Sequence, residues 1–99
     1  MKSGSRLQSQ VCDTQVIVVR VSDGLHDLRC GGAPMVGLDV EKDASLVLDP
    51  ALSGGAVMGK RYIDENGAEL LVTKAGAGTL AVGDTPMSLK EAKPLPASD

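Results

Sequence analysis

Apolar residues in this chain fall into short runs separated by turn-forming residues. The densest run, Val16-Ile17-Val18-Val19 with Val21 following, is almost wholly β-branched and too short for an ordinary helix, which predicts a buried strand. Glu69-Leu70-Leu71-Val72-Thr73 predicts a second strand. Ahead of it lies Asp64-Glu65-Asn66-Gly67, whose Asn-Gly pair tolerates positive φ at both centres of a two-residue hairpin turn, so Arg61-Tyr62-Ile63 is expected to pair with Leu70-Leu71-Val72. Ser45-Leu46-Val47-Leu48 suggests a short third strand. Asp49-Pro50-Ala51-Leu52 places a capping Asp before a Pro at the first helical position, and Ser53-Gly54-Gly55 limits the result to one turn. No window sustains a 3.6-residue apolar period, and 12 Gly and 5 Pro interrupt the chain. The pattern predicts a mainly β fold, a small single domain with little helix. The segment 90–99, which contains Pro94 and Pro96, is expected to be an extended tail.

Composition narrows the function classes. With 99 residues, no Trp, no Phe and Tyr62 as its single aromatic, the chain builds its core from small aliphatic side chains. Such a core argues against a wide apolar pocket, against base-stacking platforms and against aromatic peptide grooves. The formal charge is −3, and Lys60-Arg61 is the one adjacent pair of cations. Without a basic stripe, nucleic-acid and anionic-membrane partners are not expected. No apolar run reaches the length of a membrane span, and Met1 to Gln10 lacks a signal-like apolar region. The expectation is a soluble cytoplasmic protein whose Cys12 and Cys30 are reduced thiols, metal ligands or transient redox partners.

An offset of 52 residues aligns Gly24, Leu28, Gly31, Pro34 and Met35 with Gly76, Leu80, Gly83, Pro86 and Met87. It also sets Val18-Val19 on Leu70-Leu71, Val11 on Ile63 and Asp13-Thr14-Gln15 on Glu65-Asn66-Gly67. Two pseudo-repeated β-hairpin units follow, over about 9–38 and 61–89, whose apolar faces cover one another. In this reading Gly24 and Gly76 sit at turns, Gly31 and Gly83 bend the chain, and Met35 and Met87 fill equivalent core sites.

Cys12 at the first hairpin turn and Cys30 before Gly31-Gly32 give the chain its candidate chemistry. Together with Gly32, Met35 and the strand residues Val16 and Val18, they resemble desulforedoxin and the N-terminal domain of desulfoferrodoxin. Those are small β proteins that hold iron with four thiolates, in a Cys-x-x-Cys knuckle and a later Cys-Cys-Gly-x-x-Met segment. The resemblance covers about residues 9–38 and, more faintly, 61–89. It implies that Cys12 takes the place of the knuckle's second cysteine and Cys30 that of the first of the adjacent pair. Ser9 and Gly31 stand where the other two thiolates belong, and the second half offers Arg61, Asp64, Val82 and Gly83. The resemblance therefore implies scaffold more than chemistry, because a structural tetrahedral site needs four ligands.

Three readings of the cysteines stand side by side. Iron or zinc could be held by Cys12, Cys30 and His26, the single histidine, or by two copies of the cysteine pair across a homodimer. A hairpin that brings the two thiols together could instead form a reversible disulfide. Both cysteines could also be buried apolar filler.

No Gly-x-Ser-x-Gly or phosphate-loop pattern occurs, Gly76-Ala77-Gly78 reads as a hairpin turn, and Asp39, Glu41 and Asp43 read as a solvated edge. The expected function is a non-catalytic accessory or protein-interaction module without cofactor on a desulforedoxin-like scaffold, acting through a protein partner or self-association. A metal-binding electron-transfer or carrier protein and a thiol redox switch are the alternatives.

Overall fold

A computed structural model describes residues 2–90, and among them the fold is mainly β, as expected. The tail beyond Lys90 lies outside the described residues. Ten short strands form two antiparallel sheets among the described residues. The larger sheet contains β1 (Arg6–Gln8), β2 (Gln15–Arg20), β5 (Val36–Gly37), β6 (Arg61–Ile63), β7 (Glu69–Lys74) and β10 (Ser88–Leu89), in the order β10-β6-β7-β2-β1-β5. The smaller contains β3 (Leu28–Cys30), β4 (Ala33–Pro34), β8 (Leu80–Val82) and β9 (Thr85–Pro86), in the order β4-β3-β8-β9.

The apolar run at Val16 is a strand with two different faces. Val16 and Val18 are buried, Ile17 is half-buried and Val19 is exposed, so period-2 alternation replaces the all-round burial its composition suggested. The core joins Leu7, Val16, Val18, Tyr62, Leu70 and Val72 of the larger sheet to Leu28, Cys30 and Leu80 of the smaller, with Leu25, Met35 and Met87 closing it. Tyr62 is the bulkiest core group, and its hydroxyl is satisfied by accepting from the Val57 N–H at 3.1 Å.

The hairpin predicted at Asn66-Gly67 forms between β6 and β7, with Arg61 opposite Leu71 and Tyr62 opposite Leu70. Its loop, however, runs from Asp64 to Ala68 and only Gly67 has positive φ, at +93°. The Asp64 carboxylate decides this, because it accepts from the N–H groups of Asn66 (3.0 Å) and Ala68 (2.7 Å) and so closes a longer turn. Replacing Asp64 with Ala leaves two loop donors without their carboxylate, and the chain should lose about 1–2 kcal/mol, read as a lower denaturant midpoint.

Pairings in one half recur in the other. The β1/β2 hairpin adds β5 on its outer side, as β6/β7 adds β10, and β2 pairs with β7 while β3 pairs with β8. Met35 N–H donates to the Leu28 carbonyl and Met87 N–H to that of Leu80; Gly31 N–H donates to the Thr79 carbonyl and Gly83 N–H to that of Asp27. In the hairpins the correspondence departs from the 52-residue offset. Arg6-Leu7-Gln8 stand where Arg61-Tyr62-Ile63 stand, and Gln15 to Val18 where Glu69 to Val72 stand, because both connecting loops differ in length between the halves.

Three local expectations are corrected. Ser45 to Leu48 is irregular and pairs with no strand among the described residues. Gly76 does not adopt positive φ, unlike Gly24 at +89°. Gly76-Ala77-Gly78 is no hairpin turn but the crossing from β7 in one sheet to β8 in the other, with Gly76 bridged to Ala56. The single turn at Pro50–Leu52 forms as expected, with the Asp49 carboxylate accepting from the Ala51 N–H at 2.9 Å.

Candidate functional site

The β1–β2 loop builds one wall of the site. Ser9 N–H donates to the Thr14 carbonyl at 2.9 Å, which closes the loop at its base. Wholly buried Ser9 then accepts from the N–H groups of Val11 and Cys12, each at 3.2 Å, through its Oγ. The loop is thereby curled so that the Cys12 side chain turns back toward the core. Cys12 Sγ lies 3.2 Å from Ser9 Oγ and 3.3 Å from Oγ1 of Thr14, which is also fully buried.

The second wall is the end of β3. Cys30 is fully buried there, and its Sγ is 3.7 Å from that of half-buried Cys12. Gly31 follows with φ +65°, a left-handed conformation that suits glycine, and turns the chain out of the strand. The β7–β8 crossing forms the third wall. Gly78 N–H donates to Cys12 Sγ at 3.3 Å, and a Cβ on Gly78 would stand 2.8 Å from Cys30 Sγ and 3.1 Å from Cys12 Sγ. Only a glycine lets this backbone lie against both sulfurs.

These surroundings separate the two thiols in proton affinity. Burial pushes Cys12 up, but hydrogen bonds to its thiolate from the Ser9 and Thr14 hydroxyls and the Thr14 and Gly78 N–H groups outweigh it, and the thiol falls to about 7. Because Ser9 Oγ takes two backbone N–H groups as acceptor, its own hydrogen is available to the sulfur once Cys12 ionises. Burial pushes Cys30 up, and a negative Cys12 alongside pushes it further, to about 11. The pair thus holds one proton firmly and one loosely.

Stability follows the same asymmetry. For Cys12 the folded state favours the thiolate, so stability rises as pH climbs from about 7 toward the ordinary thiol value of 9.0 and is lost as pH falls back through 7. For Cys30 the folded state favours the thiol, so stability is full below 9.0 and falls as pH rises toward 11. The cysteine contribution should therefore peak near pH 9. The check is the denaturant midpoint of the reduced chain against pH, relative to a double Cys12→Ala, Cys30→Ala variant; a flat difference curve contradicts it.

The structure brings together Cys12 and Cys30, with Ser9 against Cys12, and leaves the other sequence candidate apart. His26 is exposed on the short turn Leu25–Asp27, and no group of three or more His, Cys, Asp or Glu able to hold a metal occurs among the described residues. In the second half, Asp64 closes its loop as Ser9 does but has no thiol beside it. Asp39, Glu41 and Asp43 are exposed, as expected. Two contributors were not legible as site residues: Thr14, whose position two residues after Cys12 is not a motif, and Gly78, which acts through its backbone.

No protein-family model, curated protein or solved structure matches this chain. The functional reading therefore rests on the geometry of the site.

Proposed function

We propose that the chain is a thiol redox module in which Cys12 is the attacking thiolate and Cys30 the resolving thiol. The supporting observation is the pair itself, 3.7 Å apart with one sulfur half-buried and acidic and the other wholly buried. An approach of under 2 Å brings the sulfurs to the roughly 2.05 Å of a disulfide bond. With a small disulfide as oxidant, the Cys12 thiolate attacks one of its sulfurs, that S–S bond breaks, and one thiolate leaves. Cys30 gives up its proton to that thiolate and attacks Cys12 Sγ, which forms the Cys12–Cys30 bond and expels the second thiolate, protonated by solvent. The protein loses two hydrogens and the disulfide becomes two thiols.

Oxidised glutathione serves as the probe. A Cys30→Ser chain should stop at a stable mixed disulfide on Cys12, and a Cys12→Ser chain should form none under the same conditions, both read by intact mass. A persistent adduct on Cys30 in the wild-type chain would overturn the roles.

The alternative of iron or zinc rests on the same separation, since 3.7 Å is close to the edge of a tetrahedron with metal–sulfur arms of about 2.3 Å. The residues of one chain do not fit a four-ligand site, because no third His, Cys, Asp or Glu joins the pair among the described residues. This reading therefore takes two chains, and half an equivalent of metal per chain on protein purified without chelator would support it. An accessory or interaction module on a desulforedoxin-like, internally duplicated scaffold is the reading left if the thiols neither oxidise nor bind metal.

A further inference from the structure

The two halves differ in how their cations are paired among the described residues. In the second half, Glu69 is nearly buried and is gripped by Arg61 at 3.0 Å and Lys90 at 2.8 Å. Arg20 stands across the ladder from it. The Lys90 ammonium, with Arg61 beside it, holds the Glu69 carboxyl below its usual range against the opposing effect of burial.

The first half presents the same frame with the carboxylate and one of its cations exchanged. Arg6 stands where Arg61 stands and Lys74, across from Gln15, where Arg20 stands, but Gln15 takes the place of Glu69 and Leu38 that of Lys90. Among the described residues, the ion pairs are Arg29 with Asp27 and Arg61 and Lys90 with Glu69, so neither Arg6 nor Lys74 is in an ion pair there. At this place the surface opens into a cleft of about 330 Å³ lined by Arg6, Gln15, Lys74 and Thr73, with Ile17 and Leu38 as an apolar floor.

We propose that this cleft binds a small organic carboxylate, whose charge meets the exposed cations Arg6 and Lys74 beside Gln15 and whose apolar body lies on Ile17 and Leu38. The Gln15 amide is a donor where Glu69 is an acceptor, so it adds a hydrogen bond to the anion instead of competing with it. Guanidinium geometry suits a carboxylate bound by two parallel N–H groups. Both cations are exposed, so binding is weak, at roughly millimolar Kd, and declines with added salt.

The test is an amide chemical-shift titration of the full chain with butyrate, with butanol and inorganic phosphate as comparison probes. Saturable shifts centred on Arg6, Gln15, Ile17 and Lys74 are expected, with at least tenfold weaker binding in Arg6→Gln. Gln15→Glu should also abolish binding, because it places an internal carboxylate across the ladder from Lys74. Unsaturable shifts, equal binding in Arg6→Gln, equal binding of butanol, or tighter binding of phosphate than of butyrate would each overturn the proposal.

Discussion

At pH 7, replacing Cys12 with Ser should slow alkylation of the reduced chain by iodoacetamide about 100-fold or more, while Cys30→Ser leaves the rate within a few-fold of wild type. At that pH a thiol near 7 is about half ionised, whereas one near 11 is ionised in roughly one molecule in 10⁴. The less acidic thiolate is intrinsically more nucleophilic, by about 10^0.4–10^0.5 for each unit of pKa, which returns about 40–100-fold of that difference. Burial of Cys30 then works against it again. Removing Cys12 also removes the charge that raises Cys30, so the residual rate sits above the value Cys30 has in the intact pair. The wild-type rate should titrate with an apparent pKa near 7. Equal rates for the two variants, or a midpoint near 9, would remove the asymmetry on which the assigned roles rest.

The largest structural effect is expected at Gly76. A Cβ there would collide with Oγ1 and the backbone N of Thr14 and stand 3.1 Å from the backbone N of Asp13. Main-chain atoms cannot swing aside as a flexible side chain can, so Gly76→Ala forces the β7–β8 crossing away from the β1–β2 loop. The expected cost is about 3 kcal/mol, a large part of the stability of a domain this size. The change also displaces Thr14 from Cys12, so its alkylation midpoint should move up toward an ordinary thiol. Gly59→Ala is the control, since nothing lies within 4 Å of its added Cβ although its φ is +81°. It should cost less, through backbone strain alone, and leave the Cys12 midpoint in place. A Gly76→Ala chain as stable as wild type, with an unmoved Cys12, contradicts the packing described at the site.

The sequence carries its strand information in short aliphatic runs. Val16 to Val19 and Leu70 to Val72 mark strands by composition and length, while such all-apolar runs leave the buried face to the structure, and Asn66-Gly67 marks the turn between β6 and β7. It was less informative where a polar side chain governs the backbone. The Asp64 carboxylate lengthens that turn beyond the two residues its Asn-Gly pair suggests. Ser45 to Leu48 has strand-like composition yet pairs with no strand among the described residues, which only tertiary structure decides.

The site was legible in part for the same reason. Cys12 and Cys30 draw notice as the chain's two thiols, but it is the packing of the β1–β2 loop of one sheet against the end of β3 in the other, and not a shared hairpin, that brings their sulfurs together. What makes them unequal is spread over segments far apart in sequence, in the Ser9 and Thr14 hydroxyls and the N–H of Gly78. A backbone donor contributed by a glycine leaves no side-chain pattern to read. Histidine is a common metal ligand, but the short turn that carries His26 leaves it exposed and outside any ligand group with the thiols among the described residues.

The most direct test of the thiol redox assignment is the intact mass of the wild-type chain after equilibration with oxidised glutathione and acid quenching, followed by peptide mapping. The account predicts a monomer lighter by two hydrogens, with the Cys12 and Cys30 peptides joined. Two free thiols, or a bond that links two chains instead of one, would contradict it.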